Sequence, residues 1–241
     1  LDRVERPSSD DERPKRVLTP PELSRLIDEI DEPYKLLFEL AAETGCRLAE
    51  ALGLVWGEVD FTQQTVTFMS QLDRQGRRAP LKTARSRRCL EITPATASKL
   101  RTANLAATRS GPHDFVFVTR AGTPHDHRNI GGRVLARAVK RAGLDAVERD
   151  GAIIEPAPTF HSLRHSHGSA LIAADWDIEE VSARLGHANV ATTQRIYVHA
   201  YDAARRSSAR RDRLAGMYGD PEHTPDGDRG GPRLEGARLR T

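Results

Sequence analysis

The stretch Thr159-Phe160-His161-Ser162-Leu163-Arg164-His165 decides how the chain is read. Thr159 can cap the free amides of a first helical turn, and the pattern after it predicts a helix to about Ala174. Helix positions three apart share a face, so His161 and Arg164 can address one ligand while Leu163 turns to the core. The pair His161 and His165, four apart, also allows a metal site. Zinc needs three or four ligands, however, and no acidic residue or cysteine pair lies near them in sequence.

Toward the carboxy terminus, Asp177 and Glu180 form a capping pattern for a helix that ends at Gly186, and His187 follows. Thr192 or Thr193 can start the next helix, which carries Tyr197 and Tyr201. After about Met217 periodicity is lost, and residues 218–241 read as a disordered tail. Toward the amino terminus, residues 144–158 read as a loop. Helical periodicity covers Arg128 to Arg141 and Pro94 to Ala107, with the apolar run Phe115-Val116-Phe117-Val118 between them. Thr65 to Phe68 and Arg88 to Ile92 alternate as strands, with a turn at Arg74–Arg78 between them and then Pro80–Thr83. Helices are expected near Pro20–Ile30, Pro33–Glu43 and from about Arg47, and residues 1–17 read as a charged linker. The fold expected is α+β, mainly α-helical, with a small antiparallel sheet of two to three strands.

Charge is unevenly spread. Residues 1–72 carry 8 basic and 15 acidic side chains, whereas residues 73–141 carry 16 basic and 4 acidic ones, within a net charge of +3. So basic a middle third suits a polyanion, because clustered cations displace phosphate counterions; a solvated basic surface is the other reading. Arginine supplies 32 of the 37 basic residues, which fits two-pronged phosphate contacts. No apolar stretch is long enough to span a bilayer, and no secretion leader is recognisable. Two cysteines, Cys46 and Cys89, suit reduced thiols in a cytoplasmic setting. The chain opens on Leu1, as a piece cut from a longer protein would.

Four further segments hold residues suited to phosphate chemistry. In Thr44-Gly45-Cys46-Arg47-Leu48-Ala49-Glu50, Arg47 falls at a helix start, where free amides also favour an anion. Lys82, in Leu81-Lys82-Thr83, lies at a hairpin edge, where a lysine also serves simply to protect a sheet edge. Leu185-Gly186-His187 stands at a helix end. In Gln194-Arg195-Ile196-Tyr197-Val198-His199, a tyrosine between two apolar residues also suits core packing.

Taken in order, Arg47, His161-x-x-Arg164, Leu-Gly-His187 and Tyr197 resemble the tyrosine recombinase (phage integrase) family over roughly residues 18–202. The resemblance implies an integrase-like catalytic domain over 18–217, preceded by a linker from a missing amino-terminal DNA-binding domain. It implies six catalytic residues: Arg47, Lys82, His161, Arg164, His187 and Tyr197. Arg47 and Arg164 neutralise the phosphate, His161 helps deprotonate Tyr197, His187 donates to the phosphate, and Lys82 protonates the leaving 5′ oxygen. Strands are cut through a 3′-phosphotyrosyl link and rejoined without ATP, cofactor or metal. Glu50 is read as buttressing its helix or orienting a neighbouring side chain, Tyr201 as the rival nucleophile, and Arg85, Arg87 and Arg88 as contacts to the DNA backbone. The partner implied is double-stranded DNA, bound by a tetramer on paired sites; the free chain can be monomeric, and residues 202–217 can dock on a neighbouring protomer. A type IB topoisomerase-like relaxing enzyme and an inactive DNA-binding remnant are the alternatives.

Overall fold

A computed structural model describes residues 16–81 and 83–197. The expected tail, the 202–217 docking segment, Lys82, Tyr201 and residues 1–15 of the linker lie outside the described residues.

Helix α1 (Pro20–Asp28) starts where Thr19 donates both its amide and its hydroxyl to Glu22, at 2.8 and 2.7 Å. Packed structure begins slightly before the expected boundary at Leu18. Arg16 is buried and ion-paired with Glu22 and Glu155, so the linker reading does not extend to that residue. Helix α2 (Lys35–Thr44) ends at Gly45, whose φ of 63° lies in the left-handed region that glycine enters without a Cβ clash. The short α3 (Leu48–Leu52) follows, with Arg47 at its N-cap.

The expected sheet is present with three strands, β1 (Val59–Asp60), β2 (Thr65–Phe68) and, further along the chain, β5 (Arg88–Glu91), all antiparallel in the order β1-β2-β5. Val66 pairs with Leu90, and both are buried, which fixes the register. The turn expected at 74–78 joins a separate hairpin, β3 (Ser70–Leu72) with β4 (Arg78–Pro80). Helix α4 (Pro94–Ala106) forms as expected. The helical pattern at 128–141 divides into a wide π-helical turn over Asn129–Val134 and α5 (Leu135–Arg141). Phe115 and Val118 make only isolated bridges, to Val55 and Pro124.

The loop reading of 144–158 needs correction. Strands β6 (Val147–Arg149) and β7 (Ala152–Glu155) pair across Asp150-Gly151, with φ values of 52° and 77°. Aspartate and glycine tolerate the two left-handed positions of a tight hairpin turn, so the turn itself is legible. Every strand residue is exposed, so no hydrophobic alternation announces the strands.

Helix α6 (Phe160–Ala173) packs against α2 and α7 and buries most of its first nine residues. Its first turn is closed by the Thr159 amide donating to Ser162 Oγ at 3.0 Å, and the Leu18 amide donates to Ser166 Oγ at 2.8 Å. Leu163 enters a large core shared with Phe38, Leu40, Leu52, Phe68 and Leu135. Helix α7 (Ile178–Leu185) packs on α6 and ends at Gly186, φ 66°. The last turn is closed by the His187 amide on the Ser182 carbonyl at 3.0 Å. A further helical stretch covers 190–197. It begins before the expected threonines, where Asn189 Oδ1 accepts from the Ala191 amide at 2.9 Å.

Candidate active site

Three guanidinium groups and one carboxylate meet beneath α3. Arg164 is almost fully buried on α6. Its Nη1 donates to the Gly45 carbonyl at 2.8 Å, two residues before Arg47. Its Nη2 is buried without a hydrogen-bond partner among the described residues. Burial lowers the Arg164 pKa to about 9, and the charges of Arg47 and Arg88 press the same way. The three guanidiniums thus share one electrostatic neighbourhood.

Glu50 answers that charge. It is buried, its Oε1 accepts from Arg47 Nη1 at 2.7 Å, and its Oε2 accepts from the Arg47 amide at 2.9 Å and from Arg88 Nη2 at 2.8 Å. Burial alone would raise its pKa, but Arg88 and Arg47 outweigh burial and hold it below the ordinary carboxylate value. Arg47 is consequently fixed at its base while its side chain stays more than a third exposed.

Arg88 departs from its expected role. Its guanidinium is buried over the Phe68 ring and committed to Glu50, Ser86 and Arg184, so it is withdrawn as a contact to the DNA backbone. Alternation in β5 is the cause, because it places Arg88 on the same inward face as Leu90. Arg85 and Arg87 are exposed; Arg85 Nη1 donates to the Ala188 carbonyl at 3.1 Å.

The histidines flank this platform. His161 is exposed on α6, with its ring edge-on to His165 at 4.7 Å between centroids. Among the described residues no group of three or more His, Cys, Asp or Glu side chains is placed to hold a metal ion. His187 is buried, with Nδ1 2.7 Å from Thr193 Oγ1. Burial, then Arg164 and Arg47, lower its pKa to about 3, so its ring is neutral near pH 7 and lies within electrostatic reach of both arginines.

Tyr197 completes the group from an unexpected position. Its phenol is buried with Ile172, Val181 and Leu185, and it donates to the main-chain carbonyl of Arg164 at 3.3 Å. Burial raises its pKa to about 12, with Arg164 opposing. The hydroxyl lies against Gly168, where an added Cβ would come within 2.5 Å of it. Gly168 and the pairing of Thr193 with His187 escape the sequence reading. A glycine inside a helical pattern costs about 1 kcal/mol against alanine and signals close packing, so only the first leaves a trace.

A cleft of about 940 Å³, bordered by Ala49, Arg74, Asp126, His127 and Arg128 among others, opens beside α3, and its lining includes none of these side chains. Among the described residues no helix is long and apolar enough to cross a membrane.

The chain is similar to known proteins. A model of the phage integrase family matches residues 16–204. Tyrosine recombinase XerC of Xylella fastidiosa is 32% identical over 187 residues, covering 74% of this chain and 55% of the relative. Transposase A from transposon Tn554 of Staphylococcus aureus is 31% identical, covering 78% and 49%. The chain thus spans about half the length of these curated relatives. Among solved structures, the Tn1549 transposon integrase in complex with transposon right-end DNA superposes with a TM-score of 0.67 at 23% identity, covering 86% of this chain and 68% of that one. The catalytic domain of bacteriophage HP1 integrase gives 0.51 at 18%, covering 84% and 98%. At these identities the likeness concerns the fold.

Proposed function

The chain belongs to the phage integrase family, and on that premise we propose that it is the catalytic domain of a site-specific DNA recombinase acting on double-stranded DNA. The observation that carries this reading is the buried, partly unpartnered guanidinium of Arg164 beside that of Arg47, balanced by Glu50 alone among the carboxylates bonded to this cluster in the described residues. Burying a cation without a full set of partners is costly, and a phosphodiester supplies the missing anion.

In the reaction proposed, the Tyr197 oxygen attacks the scissile phosphorus and the bond to the 5′ oxygen breaks. Arg47 and Arg164 neutralise the charge that grows on the non-bridging oxygens, and each such donor contributes about 3–4 kcal/mol. His161 takes the phenol proton, His187 donates to the phosphate, and Lys82 protonates the leaving oxygen. The tyrosyl phosphoester conserves the energy of the broken bond, so a 5′-hydroxyl can reverse the step without ATP. With a pKa near 12 and its hydroxyl on a carbonyl, Tyr197 rests in an unreactive arrangement, and DNA binding must bring it out. Residues 18–217 are proposed as the catalytic domain, with the linker before it and the tail after it; the functional assembly on paired sites is a tetramer.

Incubation with a nicked suicide duplex, resolved on a denaturing gel, tests the reading. A covalent protein–DNA band is expected from the wild type and none from Tyr197→Phe. A wild type that binds duplex without forming that band, across a panel of candidate sites, overturns it. Relaxation of supercoiled plasmid at unpaired sites would assign swivelling in place of strand exchange.

A further inference from the structure

Arg88 touches the supports of several expected catalytic residues at once. Its three nitrogens point to three separate parts of the site. Nη2 donates to Glu50, the carboxylate that grips Arg47. Nε donates at 2.8 Å to the carbonyl of Arg184 in the last turn of α7, three residues before His187. Nη1 donates at 2.9 Å to the carbonyl of Ser86, in the turn Thr83–Ser86 that directly follows Lys82. The side chain also lies tight against Gly186, where a Cβ would stand 3.1 Å from Nη1 and 3.3 Å from Cδ. Phe68 backs the guanidinium at 4.8 Å.

This arrangement is costly unless it performs a task. A buried arginine loses its hydration, and Arg88 shares its anionic partner Glu50 with Arg47 while adding a like charge near Arg164. An apolar residue on the Leu90 face of β5 would pack the sheet without that repulsion. What such a residue could not do is offer three directed donors in one rigid plane.

We propose that Arg88 is a positioning residue for phosphate activation, setting the mutual geometry of Arg47 and His187 and of the turn that follows Lys82. The inference rests on the recombinase reading above. Arg88 never meets the DNA; it acts through Glu50 on one side and through the end of α7 on the other. Losing it lets the Arg47 fork drift from the phosphate, and a misplacement of about 1 Å costs up to about 100-fold in rate.

The test compares wild type, Arg88→Met and Arg88→Lys in single-turnover covalent trapping on the nicked suicide duplex, beside duplex affinity and thermal unfolding. A second duplex carries a neutral methylphosphonate at the scissile position, so that it presents less charge for the arginines to neutralise. Expected for Arg88→Met is a roughly 10- to 100-fold slower trapping rate on the phosphodiester, duplex affinity within about twofold of wild type, and a much smaller loss on the methylphosphonate. Arg88→Lys, which keeps the charge but offers one nitrogen, is expected to fall between. Equal losses on both duplexes mark a purely structural role and overturn the inference, as do wild-type rates in both variants. If Arg88→Met fails to fold, the same comparison in Arg88→Lys decides. A wild type that traps no DNA defeats the recombinase reading instead, so the two failures are distinguishable.

Discussion

Arg47, Arg88 and Arg164 stand on the large core built around α2, α6 and the β2–β5 pair, whereas Tyr197 packs in a separate small cluster with Ile172, Val181 and Leu185. The first group is gripped by a buried carboxylate and by directed bonds to main-chain carbonyls. The second is held by apolar packing and one long hydrogen bond. Burying one aromatic side chain is worth about 2–3 kcal/mol, an amount that DNA binding can repay. Charge stabilisation depends on a fixed arrangement, and a nucleophile that must not react with the wrong phosphate benefits from a movable one. For the recombinase proposed, the division of the core matches that division of labour.

The firmest way to break this contrast is to disarm the fixed side. Glu50→Gln keeps the shape but leaves three guanidiniums facing one another, and a loss of about 3–5 kcal/mol in unfolding free energy is expected from urea titration. Arg164→Lys spares more of the fold but removes the planar fork. Covalent trapping should then slow by roughly 10²- to 10³-fold, about 3–4 kcal/mol of barrier.

Gly168→Ala attacks the movable side. The new Cβ overlaps the phenol, so a stability loss of about 1–3 kcal/mol is expected. Ultraviolet titration, read against Tyr197→Phe, should show the Tyr197 ionisation falling from about 12 toward 10. An unchanged titration would mean that the phenol is not held where Gly168 admits it.

His187 sharpens the comparison through pH. Its folded pKa of about 3 lies below the ordinary 6.5, so as pH falls the unfolded chain takes up the proton first. The stability tied to its neutral ring is complete above about pH 6.5 and declines toward about pH 3, at no more than about 1.4 kcal/mol per pH unit. His187→Gln should flatten that part of the stability profile. The smallest effect belongs to Arg85→Ala and Arg87→Ala. Neither should move the melting temperature, and each should reduce the salt slope of duplex binding by about 0.9, the share of one neutralised phosphate.

Much of this is legible in the residues. Thr19 with Glu22, Gly45, and Gly186 mark helix ends by mechanisms that act locally, and the inward pair Val66 and Leu90 fixes the sheet. The hairpin β6–β7 stays hidden because its strands bury nothing, although Asp150-Gly151 spells out its turn. Arg88 reads as a surface residue because an arginine among arginines suggests exposure, yet the strand period places it in the interior. The resting place of Tyr197 depends on Gly168, far away in sequence, and no local pattern encodes that meeting.

The bond between His187 and Thr193 couples what looks like two tasks. Thr193 lies one helical turn before Tyr197, so any rotation that frees the phenol also pulls on the imidazole. While Nδ1 is engaged, only Nε2 is left to face an incoming strand. In the reaction proposed, delivery of the attacking oxygen and aim of the neighbouring ring are therefore geared together, and a substitution that loosens one resets the timing of the other.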